Sequence, residues 1–206
     1  YKEEQVALDA KIEQRKAEYP NIEVHPISFD SAELSVKDWM FLLGAMGNDS
    51  TYIKELKQIM KACRYNMSLQ NIRNGVANSS FLSSSQRSLA EQKLMFAEEY
   101  ISDGNKLQQY LQPGRLIIVD LRDEFIEKDE ALGLFVVMLN IFSGVMNVNG
   151  IAFNKFIVFD EAHKYMSNKD LVGSITTAIR EMRHKGVSIM IASQDPMSLP
   201  TEIIEL

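Results

Sequence analysis

Cysteine occurs once in 206 residues, at Cys63. A single thiol makes no internal bridge and supplies no cysteine-based metal pattern, so the composition points to a reducing, cytoplasmic setting. Histidine is nearly as scarce: His25, His163 and His184 are too scattered for a ligand set. The run DEAH, followed by Lys164 and Tyr165, lacks the HExxH spacing, which excludes a zincin. Each histidine is expected to be satisfied by hydrogen bonds and not by a metal. Positive charge is outnumbered, 22 Lys and Arg against 28 Asp and Glu, for a net charge of −6. That excludes a protein that coats nucleic acid through its overall charge, though a local basic patch or an assembled pore remains compatible with it. No secretory leader is visible. The longest apolar run, LGLFVVMLNIFSGVMNV at 132–148, is short for a membrane span and is interrupted by Asn140, Ser143 and Gly144. It is expected to be a buried core helix.

What remains is ordinary for a globular chain, with 46% hydrophobic and 24% charged residues and enough length to bury a core. Residues 2–18 are charged and helix-forming, and Pro20 stops that helix. NIEVHPISF predicts a strand at 22–29, made irregular or an edge by Pro26. Ser35 and Asp38 have the spacing of a helix cap opening VKDWMFLLGAM. Asp49, Ser50 or Thr51 caps a further helix running to about Tyr65. ANSSFLSSSQRS reads as a loop or short turn, and Ser88 with Glu91 as a capping box for a helix interrupted near SDGNK. The expected organisation is an N-terminal part of an α/β core at 1–49, a helical insertion at 50–112 and the C-terminal part of the core at 113–206.

After QPGR the pattern changes. LIIVD (116–120), FIVFD (156–160) and VSIMIAS (187–193) are continuous apolar runs separated by helix-like stretches at 130–145 and 170–185. Gly186 stands where a helix ends in a left-handed residue. Apolar runs alternating with helices predict parallel strands covered on both faces, hence an α/β fold with a parallel sheet flanked by helices. Right-handed crossovers place the strand C-termini along one rim, where ligands bind in open α/β sheets.

Two runs end in Asp. In phosphoryl-transfer sites an Asp at a strand end holds Mg²⁺ through water, and a second carboxylate orients the attacking water. Asp160 is followed by Glu161, whereas Asp120 is followed by Leu121 and lacks the partner. Asp160 is therefore read as the metal carboxylate and Glu161 as the catalytic one; the alternative is that Asp160 merely caps the following turn or helix, which is the reading preferred for Asp120. The third run ends in Ser193, Gln194, Asp195 and Pro196, which either sense a γ-phosphate or form an ordinary turn. Arg180 and Arg183 are three apart on a helix face. They fit either a solvated last turn or an arginine finger reaching a neighbouring subunit's nucleotide.

The segments KFIVFDEAHKYM and ITTAIREMRHKGVSIMIASQDPMSLPTEII resemble the C-terminal half of the HerA/FtsK-type ATPase core, nearest the HerA branch. GRLIIVDLRD is similar to the strand preceding Walker B in those proteins, and EVHPISFDSAELSVKDWMFLL, more loosely, to a segment after their second strand. The detailed likeness covers about 115–205. The resemblance implies a RecA-like P-loop NTPase core, ATP and Mg²⁺ as ligands, and a hexameric ring that moves double-stranded DNA. It implies Asp160 for magnesium, Glu161 for catalysis, Gln194 with Ser193 at the γ-phosphate, and Arg183 or Arg180 as the finger in trans. Members of the family act in DNA end processing, DNA pumping and prokaryotic defence against foreign DNA, some with a nuclease or other effector partner.

One departure is large: no G-x-x-x-x-G-K-[ST] occurs anywhere in the chain. That loop supplies the backbone amides and the lysine that hold phosphates. Because the chain also opens on Tyr1, it is expected to be a piece of a longer protein whose P-loop lies upstream. The alternative is a degenerate module that keeps the fold for oligomerisation and hydrolyses nothing. A two-lobed DEAH-box RNA helicase is disfavoured, because the strand after the carboxylates ends in Ala-Ser-Gln and not Ser-Ala-Thr, and no second lobe is present.

Overall fold

The computed structural model describes residues 2–45, 50–121, 126–164, 166 and 169–205. Along these residues run α1 (Lys2–Glu18), α2 (Val36–Leu42), α3 (Thr51–Ala62), α4 (Leu69–Asn78), α5 (Ser84–Glu99) and α6 (Lys128–Gly144). A hairpin follows, β1 (Asn147–Val148) and β2 (Ile151–Ala152), then β3 (Lys155–Phe159), α7 (Lys169–Met182), β4 (Val187–Ile191) and α8 (Thr201–Ile204). The result is a mixed α/β protein, dominated by helices, with a small parallel sheet.

Helices α2 to α5 each start at a serine cap. Ser35 and Asp38 form a reciprocal capping box on α2, as their spacing predicts. Ser50 caps α3 through the Ile53 amide, at 3.3 Å, while Asp49 lies outside the described residues. The box predicted at Ser88 and Glu91 is displaced by one turn or more: Ser83 and Gln86, with the same spacing, open α5. Glu91 instead accepts from Arg73 at 2.8 Å, and the same guanidinium reaches Glu98 at 2.9 Å, which ties α4 to α5.

The apolar run at 132–148 is a buried helix only to Gly144. Beyond it Asn149 (φ 52) and Gly150 (φ 79) make the left-handed pair that a tight hairpin turn requires. Helix α6 is buried almost all round, as expected for a helix apolar on every side. Among the described residues no helix is long and apolar enough to cross a membrane. Gly133 lets α6 approach α2, since a Cβ there would lie 3.0 Å from the Phe41 carbonyl oxygen. One hydrophobic cluster runs from Phe29 through Trp39, Leu56, Leu94 and Leu134 to Ile203, so α3–α5 share a core with the segments on either side. Each such side chain contributes about 1.5–3 kcal/mol by leaving water.

Two of the predicted strands do not form ladders. In 22–29 only Phe29 pairs, in an isolated parallel bridge with Ile101, consistent with the interruption at Pro26. The run 116–120 makes no ladder among the described residues, and Leu116 is 83% exposed. Apolarity predicts that a run prefers burial; it does not supply an edge to pair with. The sheet itself, β3 beside β4, is covered on one face only: Phe156 and Val158 are 63% and 51% exposed. The expectation of cover on both faces is therefore not met among the described residues.

Tyr52, on α3, has a buried hydroxyl with no hydrogen-bond partner among the described residues, and burial pushes its pKa up to about 12. A buried unsatisfied group costs about 1–3 kcal/mol. Tyr52→Phe is expected to raise the unfolding free energy by roughly 1 kcal/mol in urea melts. The pH dependence has a definite sign. The folded state keeps the phenol proton up to about 12 while the unfolded chain loses it at 10.0. This group therefore leaves stability independent of pH below pH 10.0 and lowers it as pH rises toward about 12, a loss that Tyr52→Phe should abolish.

Candidate functional site

The site begins with how β3 ends. Phe159 is buried, and its ring stacks on Phe135 of α6 with centroids 4.0 Å apart. Beyond it the chain must leave the sheet, so Asp160 is exposed while Ala162 is fully buried. Strands β3 and β4 pair in parallel, Phe159 opposite Ile191, which brings the residues after each strand to the same rim. Two backbone bonds extend the pairing past the strands: Ala192 donates to the Phe159 carbonyl at 2.9 Å, and Ala162 to the Ala192 carbonyl at 3.0 Å. Gly186, left-handed at φ 65, ends the preceding helical segment as its position predicts.

Glu161 carries the unusual backbone. Its φ of 53 is left-handed, a conformation that L side chains adopt rarely and at a cost of roughly 1–3 kcal/mol. Three bonds hold it there. The Asp160 carboxylate accepts the Glu161 amide at 2.9 Å, the Glu161 carbonyl accepts the Lys164 amide at 3.0 Å, and Ala162 is fixed to Ala192. Strain of this kind persists only where the surroundings over-determine it, and such sites concentrate at functional positions.

The Glu161 carboxylate is shared. Lys164 approaches it at 2.8 Å, and His163 Nε2 lies 3.7 Å away. The Lys164 ammonium above all, with His163 and Gln194 adding to it, holds Glu161 below the usual carboxylate range. Glu161 is thus ionised at neutral pH. On the other side of the imidazole, His163 Nδ1 lies 3.1 Å from Ser193 Oγ. Ser193 Oγ also accepts the Asp195 amide at 3.1 Å, closing the turn before Pro196. Asp160, Glu161, Ser193 and Gln194, chosen separately from the sequence, therefore stand together at one rim.

The remaining candidates are elsewhere. Arg180 is exposed in the last turn of α7. The backbone of Arg183 begins the helical turn Arg183–Lys185, and its side chain lies outside the described residues. Asp120 reaches Arg15 of α1 at 3.9 Å. Of the other histidines, His25 makes local contacts: its ring centroid lies 4.4 Å from that of Tyr110 and its Nε2 3.5 Å from Glu23.

Sequence reasoning overlooked Lys164 and His163 as neighbours of Glu161. The signal was present in the spacing, since Lys164 follows Glu161 by three residues and the helical turn at Ala162–Lys164 folds it back. Among the described residues no group of three or more His, Cys, Asp or Glu side chains is arranged to hold a metal ion. A site built on one carboxylate and water needs no such group, because Mg²⁺ keeps most of its waters. No family model matches the chain, and no curated protein matches it.

Proposed function

We propose that this chain is part of an ATP-dependent DNA translocase or helicase motor of the HerA/FtsK type, with the β3–β4 rim as the magnesium side of its nucleotide site. The observation that carries the reading is the convergence of Asp160, Glu161 and Gln194 at the C-terminal ends of two paired parallel strands, with Glu161 held in a left-handed conformation. The donors fit the metal. Asp160 offers an exposed, hard carboxylate oxygen, and Ser193 and Gln194 add neutral oxygens nearby. Magnesium bound there would neutralise charge developing on the terminal phosphates of ATP.

The work of the chain's own residues follows from their positions. Glu161, ionised, accepts a proton of the attacking water and aims its oxygen, a role for which orientation matters more than basicity. Gln194, beside Glu161 at the same rim, is placed to register whether a phosphate stands opposite it. Arg183 or Arg180 would act across a subunit boundary in a ring, for which the exposure of Arg180 is suitable. The RecA-like core, the hexamer and an attached nuclease or effector belong to the same proposal.

The phosphate cradle does not fit within these residues, since G-x-x-x-x-G-K-[ST] is missing. On this reading a P-loop joins the site from elsewhere in a longer protein. The 206-residue chain alone is expected to show negligible Mg²⁺-dependent ATP hydrolysis, and the protein that joins it to a P-loop to show turnover stimulated by duplex DNA. Turnover by the isolated chain would contradict the missing cradle. A P-loop-bearing protein that neither binds nor hydrolyses ATP would contradict the motor. The missing loop and the Glu161–Lys164 pair favour the second reading, a non-hydrolysing scaffold that keeps the fold for oligomerisation. ATP turnover by the P-loop-bearing protein, present on the first reading and absent on the second, separates the two.

A further inference from the structure

We infer that the outer face of α3 and the turn after it bind single-stranded DNA, with the cations tracking the sugar-phosphate backbone and Tyr65 stacking on a base. Lys54, Lys57, Lys61 and Arg64 recur at intervals of three, four and three residues, which aligns them on one side of a helical path about 15 Å long. Lys54, Lys61 and Arg64 are exposed and Lys57 is half-buried. The opposite side, Ile53, Leu56, Ile59 and Met60, is buried in the core. Arg64 stays in line because its amide bonds the Lys61 carbonyl at 3.4 Å.

Two features set this row apart from the cations of the neighbouring helices, Arg73 on α4 and Lys93 on α5. Arg73 and Lys93 are consumed by carboxylates on α5 and α6, whereas among the described residues none of the four cations on this row forms an ion pair. The one acid of α3, Glu55, is turned away and accepts from Ser79 Oγ at 2.6 Å. In a chain of net charge −6 this leaves an uncompensated local positive potential.

The second feature is Tyr65, 87% exposed at the end of the row, with the Arg64 guanidinium 4.5 Å from its ring centroid. One ring face is covered by the cation and the other is open beside a shallow depression lined by Gln58, Lys61, Ala62, Arg64 and Tyr65. An open aromatic face next to a cationic track is what an unpaired base requires, and a base inside a duplex cannot reach it. A lipid surface fits less well, because the row presents no large aliphatic side chain to insert. The assignment shares its choice of DNA with the proposed motor. It is tested on this chain without nucleotide, so failure here leaves the ATP reading standing and the reverse also holds.

The test is fluorescence anisotropy of the 206-residue chain with a labelled single strand of about 16 nucleotides. The same strand as a duplex and as RNA, and vesicles of phosphatidylserine, serve as competitors. Neutralising four phosphates predicts a log–log salt slope of about −3 between roughly 50 and 200 mM salt. Lys54→Gln/Lys57→Gln/Lys61→Gln/Arg64→Gln should remove binding. The charge-matched control Lys11→Gln/Lys16→Gln/Lys37→Gln/Lys128→Gln should retain it. Tyr65→Ala should weaken it roughly 5- to 150-fold without changing the slope. Circular dichroism confirms that each variant folds. Binding that survives the α3 substitutions overturns the inference. So does tighter binding of duplex, RNA or vesicles than of the single strand, or no binding at all.

Discussion

Replacing Glu161 with Gln is expected to lower ATP turnover about 10²- to 10⁴-fold in the P-loop-bearing protein, while nucleotide still binds. Glutamine has the same shape, but it cannot take a proton from water and forms no ion pair with Lys164, which lies 2.8 Å from the Glu161 carboxylate. The strained backbone should persist, because the bonds that fix it run through Asp160, the Glu161 carbonyl and Ala192, not through the Glu161 side chain. A rate loss without loss of folding or binding is therefore the expected signature. Single-turnover kinetics with dialysis measures both, and hydrolysis at the parent rate would show that Glu161 is not the catalytic carboxylate. Lys164→Ala is an informative companion. It frees Glu161 without removing it, so it should leave turnover far closer to the parent than Glu161→Gln does.

The second large effect is structural and lies at Asp38. This carboxylate is 3% exposed and serves two elements at once. Its Oδ2 accepts the Ser35 amide at 2.9 Å and the Ser35 hydroxyl at 2.7 Å, closing the cap of α2. Its Oδ1 accepts Asn140 Nδ2 at 2.8 Å, joining α2 to α6. Asp38→Ala removes a cap worth about 1 kcal/mol. It also strands the Asn140 amide, for a further 1–3 kcal/mol or so. A total loss of about 2–4 kcal/mol is expected in urea unfolding. In the Asn140→Ala background the same change should cost about 1 kcal/mol, since one partner is already gone. A loss below about 0.5 kcal/mol for the single variant would show that the bond between helices contributes little. The consequence reaches the site, because α6 carries Phe135, on which Phe159 rests before the chain turns out to Asp160.

Asn140 also illustrates what could be read beforehand. As an interruption of the run at 132–148 it argues against a membrane span; its partner Asp38, 102 residues away, is not visible from spacing. Local features were legible. The box at Ser35 and Asp38, the left-handed Gly186 and the grouping of Asp160 and Glu161 with Ser193 and Gln194 all follow from short-range pattern plus the parallel arrangement. Features that depend on competition were not. Ser83 and Ser88 offer the same kind of cap, and Ser83 prevails, partly because Glu91 is taken by Arg73. The run at 116–120 has the composition of a strand, but pairing depends on an available edge, a property of the tertiary structure and not of the run. The left-handed Glu161 had no local sequence signal, because glutamate is not a residue that favours that conformation.

The most direct measurement is a crystal structure of the P-loop-bearing protein with a non-hydrolysable ATP analogue and Mn²⁺, phased to show the anomalous peak of the metal. The account predicts that peak beside Asp160, with Glu161 released from Lys164 and, together with Gln194, facing the terminal phosphate. A metal peak remote from Asp160, or a nucleotide bound while Glu161 stays paired and turned from it, would contradict it.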